Sequence, residues 1–279
     1  MRRLKLFLGL FSLMAVSLAA SAASAQNQRY PLPFVDRSLT LPSITLSPDV
    51  SADATAIVKN PDSATAAPNT CGQTTDATAK QTNLCMSAGF GFGITDDLEI
   101  RASIGTLQLS PKFNYLDPRI GATYRFVGAE QFNMGIHLEA TVLTLAGAGG
   151  VRFEANLPFL VRMGSSARLD LAPGAPITIQ EGKPVTFGLN VPVALAFQIV
   201  EPLHIQARSS VTITDFSDPM KNLIVPLGIV AGLSLGSERP IVELDPYFTW
   251  TDFATPGAKS PINVDKWNAG LAARLYLYL

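Results

Sequence analysis

From about residue 84 to the end of the chain, apolar side chains fall at every second position for ten or so residues, a turn follows, and the alternation resumes. A period of two predicts strands that present one face to an apolar phase. The clearest stretch puts Val185, Phe187, Leu189, Val191, Val193, Leu195, Phe197 and Ile199 on one face, and Thr186, Gly188, Asn190, Ala194, Ala196 and Gln198 on the other. Twelve such segments are expected, near 42–54, 84–93, 98–106, 118–127, 132–144, 151–163, 168–173, 185–199, 202–215, 223–235, 241–253 and 266–279. Short turns at 94–97, 128–131, 164–167, 200–202 and 236–240 alternate for the most part with longer connections, notably 55–83, 107–117, 173–184 and 254–265. The pattern predicts an all-β chain: a single antiparallel up-and-down β-barrel of about twelve strands. No apolar run reaches the ~20 residues that a spanning helix needs.

Which side of that barrel meets the apolar phase follows from what the polar faces carry. A soluble barrel crowds charge onto its outer face, whereas here only 15% of residues are charged and mean hydropathy is +0.25. The polar faces hold small groups such as Gly89, Gly91, Ser103, Gly121, Thr123, Asn156, Gly188 and Gly232, with scattered ions. The apolar faces are nearly unbroken. Aromatics fall near their ends, with Phe153, Phe187, Trp250 and Trp267 toward the loop rim and Tyr124, Phe126 and Phe197 toward the turn rim. Two aromatic girdles around an apolar band describe a wall facing lipid. The last segment alternates Trp267, Ala269, Leu271, Ala273, Leu275, Leu277 and Leu279 up to the final residue. In this it resembles the closing strand of bacterial outer-membrane β-barrel proteins, the general porin-like class, although Leu279 stands where Phe is common. The resemblance implies outer-membrane lipids as surroundings and the barrel-assembly machinery as the partner that reads 267–279.

Residues 1–25 read as a secretory signal peptide: Arg2, Arg3 and Lys5 precede an apolar run, and Ala23-Ser24-Ala25 suits a cut before Gln26. Residues 26–37 are expected to form a periplasmic lead-in, and 38–279 the barrel, with 55–83 a low-complexity extracellular loop. After the cut, 18 basic and 22 acidic residues remain, a net charge of −4, which offers nothing to nucleic acid. Cys71 and Cys85 are the only cysteines of an exported chain and are expected to pair, closing that loop for about 3 kcal/mol. No cofactor and no metal site are expected.

Strand parity turns a nearly balanced set of ions toward the lumen. Arg101, Arg125, Arg152, Arg162, Arg208, Arg274, Glu154, Glu243 and Asp245 are the candidate lining residues, with Glu99, Arg119, Glu139, Arg168 and Asp170 on the same faces. Pro158, Pro192 and Pro226 recur every 34 residues, also inward, and are expected to kink three strands at one depth. His137 and His204 are the only histidines, and no hydrolase or nucleotide motif occurs. The chain is therefore expected to be no enzyme but a passive channel for small polar or anionic solutes. A non-conducting structural or adhesive barrel is the alternative, and a barrel-embedded hydrolase a minor one.

Overall fold

In the computed structural model, which describes residues 30–57, 81–110, 113–143, 149–220, 222–254, 262 and 264–279, each alternating segment forms a strand. They are β1 (Thr45–Ile57), β2 (Gln81–Thr95), β3 (Leu98–Ser110), β4 (Asn114–Leu116 and Arg119–Gly128), β5 (Phe132–Leu143) and β6 (Gly150–Asn156 and Phe159–Met163). The others are β7 (Ala167–Leu171 and Gly174–Gln180), β8 (Thr186–Phe187 and Leu189–Val200), β9 (Leu203–Ile213), β10 (Leu223–Leu235), β11 (Val242–Ala254) and β12 (Trp267–Leu275 and Leu277–Tyr278). Each pairs antiparallel with the next. β1 pairs with β12 from Asp49 opposite Arg274 to Ala56 opposite Trp267, so the sheet closes as a twelve-strand barrel and leaves no unpaired edge. The expected signal peptide, Cys71 and most of loop 55–83 lie outside the described residues.

Five strands differ from their expected bounds by three residues or more: β2 starts at Gln81, β3 runs on to Ser110, β4 starts at Asn114, and β1 and β7 differ for reasons that the chain shows. β1 runs from Thr45 and not from 42, because Pro42 and Ser43 belong to a segment inside the barrel mouth. β7 extends past 173 to Gln180: Pro173 interrupts the ladder, and Gly174–Gln180 then pairs with Gly150–Asn156 of β6. The prolines at 173 and 176 had masked that continuation.

The register sorts the two faces. Val50, Phe90, Ile120, Leu138, Phe153, Phe187, Phe197, Val211, Ile229 and Leu271 point outward and are exposed, each a large apolar group left on the surface. A belt of this size is a surface that water alone does not stabilise. Trp250 pairs with Trp267 across β11 and β12, and Phe248 meets both rings, at 4.9 and 6.1 Å between centroids. The fully buried side chains sit inside: Val35, Arg37, Leu41, Leu160, His204, Glu243 and Tyr276.

Three of those buried residues precede β1. Residues 30–43, which we call the strap, turn back into the barrel at the short-turn end, around a single 3-10 turn at Phe34–Asp36. The segment expected to lie outside the barrel thus occupies its mouth over the described residues 30–37. Leu32, Val35 and Leu41 are 5%, 0% and 2% exposed, and burying such side chains contributes about 1.5–3 kcal/mol each. The strap reaches β1 through Ile44, whose φ of 55° is a left-handed conformation that β-branched residues rarely adopt. Its N–H donates to the Gly93 carbonyl at 2.7 Å and its carbonyl accepts from Leu279 at 3.1 Å.

Candidate functional site: the lumen and the strap

Same-strand pairing explains how a narrow tube holds so many ions. In an extended strand, residues two apart share a face, and three arginines use that spacing. Arg101 donates to Glu99, Arg152 to Glu154 at 2.6 Å and Arg168 to Asp170 at 2.8 Å. Arg125 reaches Asp97 at 2.7 Å beside the 94–97 turn, and Asn190 donates to the second oxygen of Glu154 at 3.3 Å. Arg208 donates to Gln206 at 2.9 Å. These pairs hold the wall in shape and take up charge that would otherwise face a solute.

Arg162 and Arg168 do something else. Arg162 crosses from β6 to the strap and donates to the carbonyls of Val35, Asp36 and Arg37, each at 3.0 Å, and to Glu130 at its own rim. Arg168 donates to the carbonyls of Phe34 at 3.2 Å and Arg37 at 3.0 Å. Two guanidinium forks thereby satisfy the carbonyls at the end of the 3-10 turn, which buried backbone requires. The Gln198 side-chain oxygen accepts from Val35 N–H at 3.3 Å, and the Glu99 carboxylate accepts from Leu41 N–H at 2.8 Å. The strap therefore hangs from β3, β6, β7 and β8, and from β10–β12 through Arg37.

Arg37 is 2% exposed. Its Nη1 donates to Glu243 at 2.6 Å and its Nη2 to Ser234 Oγ at 2.6 Å, and Tyr276, which also donates to Glu243, closes the pocket. Burial works against that charge, but Glu243, Tyr276 and Tyr30 together outweigh it and hold the Arg37 pKa above its ordinary value. Phe34 stacks on His204 with ring centroids 4.2 Å apart, and the Arg168 guanidinium lies 4.7 Å from the Phe34 ring centroid.

Two glycines make the seat possible. A Cβ on Gly93 would come within 2.0 Å of the Pro42 carbonyl, so only glycine lets the strap pass. On β10, Gly232 stands in one row between His204 and Asp245, and a Cβ there would come within 2.2 Å of His204 Nε2 and 2.7 Å of Asp245 Oδ1. The two side chains meet over this gap. His204, Glu243 and Asp245 offer donor atoms within 4.8 Å of one another, but Arg37 already holds Glu243, and Arg208 and Arg274 bear on Asp245. That charge set disfavours a divalent ion.

Around the strap some space remains. A cavity of about 860 Å³ at the turn rim is lined by Tyr30, Asp36, Asp96, Arg125, Glu130 and Arg162 among others. Deeper, Pro158, Pro192 and Pro226 line one cavity of about 520 Å³ with Arg168, Asp170, Arg208 and the strap's Leu39. Pro158 falls in the break between the halves of β6, and the β10–β11 register shifts between Val225 and Leu227, on either side of Pro226.

No protein-family model matches the chain, and no curated protein matches it. Solved structures do. The chain is similar to the COG4313 outer membrane channel from Pseudomonas putida F1, with a TM-score of 0.58 at 12% identity over 90% of this chain and 99% of that one. The fold is that of bacterial outer-membrane channels. It is also similar to the NanC porin, with a TM-score of 0.56 at 7% identity over 82% of this chain and 99% of that one. At such identities the likeness is one of fold alone.

Sequence reasoning missed the strap residues Phe34 and Arg37, and the lumen-facing Asp49, Asp53 and Tyr247. The only local signal for the strap was a run of buried-type residues, Leu32, Val35 and Leu41, around a charged Arg37 ahead of the first strand.

Proposed function

We propose that the protein is a passive, non-enzymatic channel of the bacterial outer membrane for small polar solutes, with flux limited by the strap at its periplasmic mouth. The observation that carries this reading is the polar interior of a closed twelve-strand wall, with space of about 860 Å³ left beside the strap. Twelve strands enclose more than a side-chain-filled eight-stranded barrel and less than an open sixteen-stranded porin. The exposed apolar belt suits a lipid surround. The same-strand ion pairs favour small neutral or zwitterionic solutes over strong anion selectivity, because a lone arginine attracts anions far better than one held by a carboxylate.

A hydrolytic reading has one geometric hint, since Thr123 Oγ1 lies 2.9 Å from His137 Nδ1 and Glu139 Oε2 3.8 Å from His137 Nε2. The second distance is too long for a hydrogen bond, so the imidazole lacks the orienting partner that such a triad needs. The test is planar-bilayer recording of the full-length protein. Steady ion-passing steps, with little preference between potassium and chloride, are expected. A barrel that inserts yet passes no current with the strap present or deleted would favour the structural alternative.

A further inference from the structure

Every nitrogen of Arg37 is matched to an acceptor. Nη1 donates to Glu243 at 2.6 Å and to Tyr276 Oη at 3.4 Å, Nη2 to Ser234 Oγ at 2.6 Å and the Leu32 carbonyl at 3.0 Å, and Nε to the Pro31 carbonyl at 3.1 Å. Three rings, Tyr30, Phe34 and Tyr276, stand 5.2, 5.7 and 5.7 Å from its central carbon. A carboxylate, a hydroxyl and aromatic faces at these distances form a cage for a planar cation, since a guanidinium can donate along its edges and stack on its faces at once. The components come from two sources. Glu243, Ser234 and Tyr276 belong to three adjacent strands of the wall, while the remaining contacts come from the strap folding around its own side chain.

The wall half is therefore a site in its own right. Around it, Glu243 and Asp245 stand against Arg208 and Arg274, so the wall half has no net charge of its own, and a cation is held there by its direct contact with Glu243. Arg37 adds one positive charge, whereas a divalent ion would add two.

We propose that Glu243, Ser234 and Tyr276 form a binding site for guanidinium-class organic cations, which Arg37 occupies as a tethered ligand and which a free guanidinium can occupy in its place. The site does not depend on the channel reading; its consequence for flux does. A tethered group competes at an effective concentration in the millimolar range, so a free ligand gains most where Arg37 is removed.

The experiment uses the full-length protein carrying Ser38→Cys as a strap reporter, with Arg37→Ala to vacate the site, and methylguanidinium chloride as the probe at constant ionic strength. Maleimide labelling of position 38 reads strap seating, and bilayer conductance is recorded in parallel. Arg37→Ala is expected to raise the labelling rate at least tenfold. Methylguanidinium at tens of millimolar should reverse at least a third of that rise, where sodium and tetramethylammonium do not, and Glu243→Gln added to Arg37→Ala should abolish the reversal. Equal responses to methylguanidinium and sodium, or a reversal that survives Glu243→Gln, would overturn the site. Specific reversal of labelling without any change in current supports the site and counts against the channel. A rise in current on Arg37→Ala that no cation reverses does the opposite. If Arg37→Ala loses the heat-dependent gel shift of a folded barrel, the wild-type strap with the reporter decides: methylguanidinium at 100 mM scale must speed labelling relative to sodium, and an unchanged rate overturns the proposal.

Discussion

Arg101 and Arg162 both point into the lumen by strand parity, yet they perform different work. Arg101 turns to Glu99 two residues away on its own strand and remains 39% exposed. Arg162 reaches across to the strap and donates to three consecutive carbonyls more than 120 residues away in the chain. One arginine holds the wall to itself; the other holds an obstruction to the wall. The difference teaches that lumen-facing charge does not by itself define a solute path, because the nearest available acceptor decides what each guanidinium does. At mid-depth that acceptor is a neighbouring carboxylate. At the turn rim it is the Asp97 carboxylate for Arg125 and the strap for Arg162.

The largest effect in this comparison belongs to Glu243. Glu243→Ala leaves Arg37 buried without its partner, and breaking a buried ion pair costs about 3–5 kcal/mol. Strap labelling at position 38 should rise by two orders of magnitude or more if that cost falls on strap seating, and the heat-dependent gel shift should persist. Next comes Arg162→Ala with Arg168→Ala, which removes five bonds to strap carbonyls. A buried hydrogen bond from a charged group contributes about 1.5–3 kcal/mol, but of these five only the one from Arg168 to Arg37 is wholly buried, so the pair should release the strap less fully than Glu243→Ala, and each single variant should do so in part. Gly93→Val sharpens the same point from the other side: its side chain takes the place of the Pro42 carbonyl and should unseat the strap with every arginine intact. The smallest effect is expected for Arg101→Gln. Arg101 is 39% exposed although Glu99 is buried, and glutamine can still donate to that carboxylate, so strap labelling should stay within twofold of wild type. A strap response to Arg101→Gln as large as that to Arg162→Ala would erase the distinction between the two arginines.

The wall was legible because alternation is a local property, and strands such as β8, β9 and β10 declare themselves over ten residues. The inward register of Glu99, Arg101, Glu154, Arg208, Glu243 and Asp245 followed from the same parity. The strap was not legible in this way. Residues 30–43 have no period and carry Pro31, Pro33 and Pro42, and 26–37 read as a periplasmic lead-in ahead of a barrel starting at 38. The partner of Arg37 lies 206 residues away, a pairing that only closure of the barrel brings about. The pairing of Cys85 is intermediate. Cys85 is wholly buried in β2 and is not a free thiol, while Cys71 lies outside the described residues. We propose the Cys71–Cys85 disulfide on that footing, and unreduced protein should take up no thiol reagent.

The claim at the centre of this account is that the strap, and not the wall, sets the size of the path. Single-channel recording of full-length protein beside a variant lacking residues 30–41 tests it directly, with the gel shift confirming that both barrels are folded. Full-length protein should give small steps, and the deletion should give steps several-fold larger without a reversal of ion preference. Equal conductance in the two proteins would contradict it.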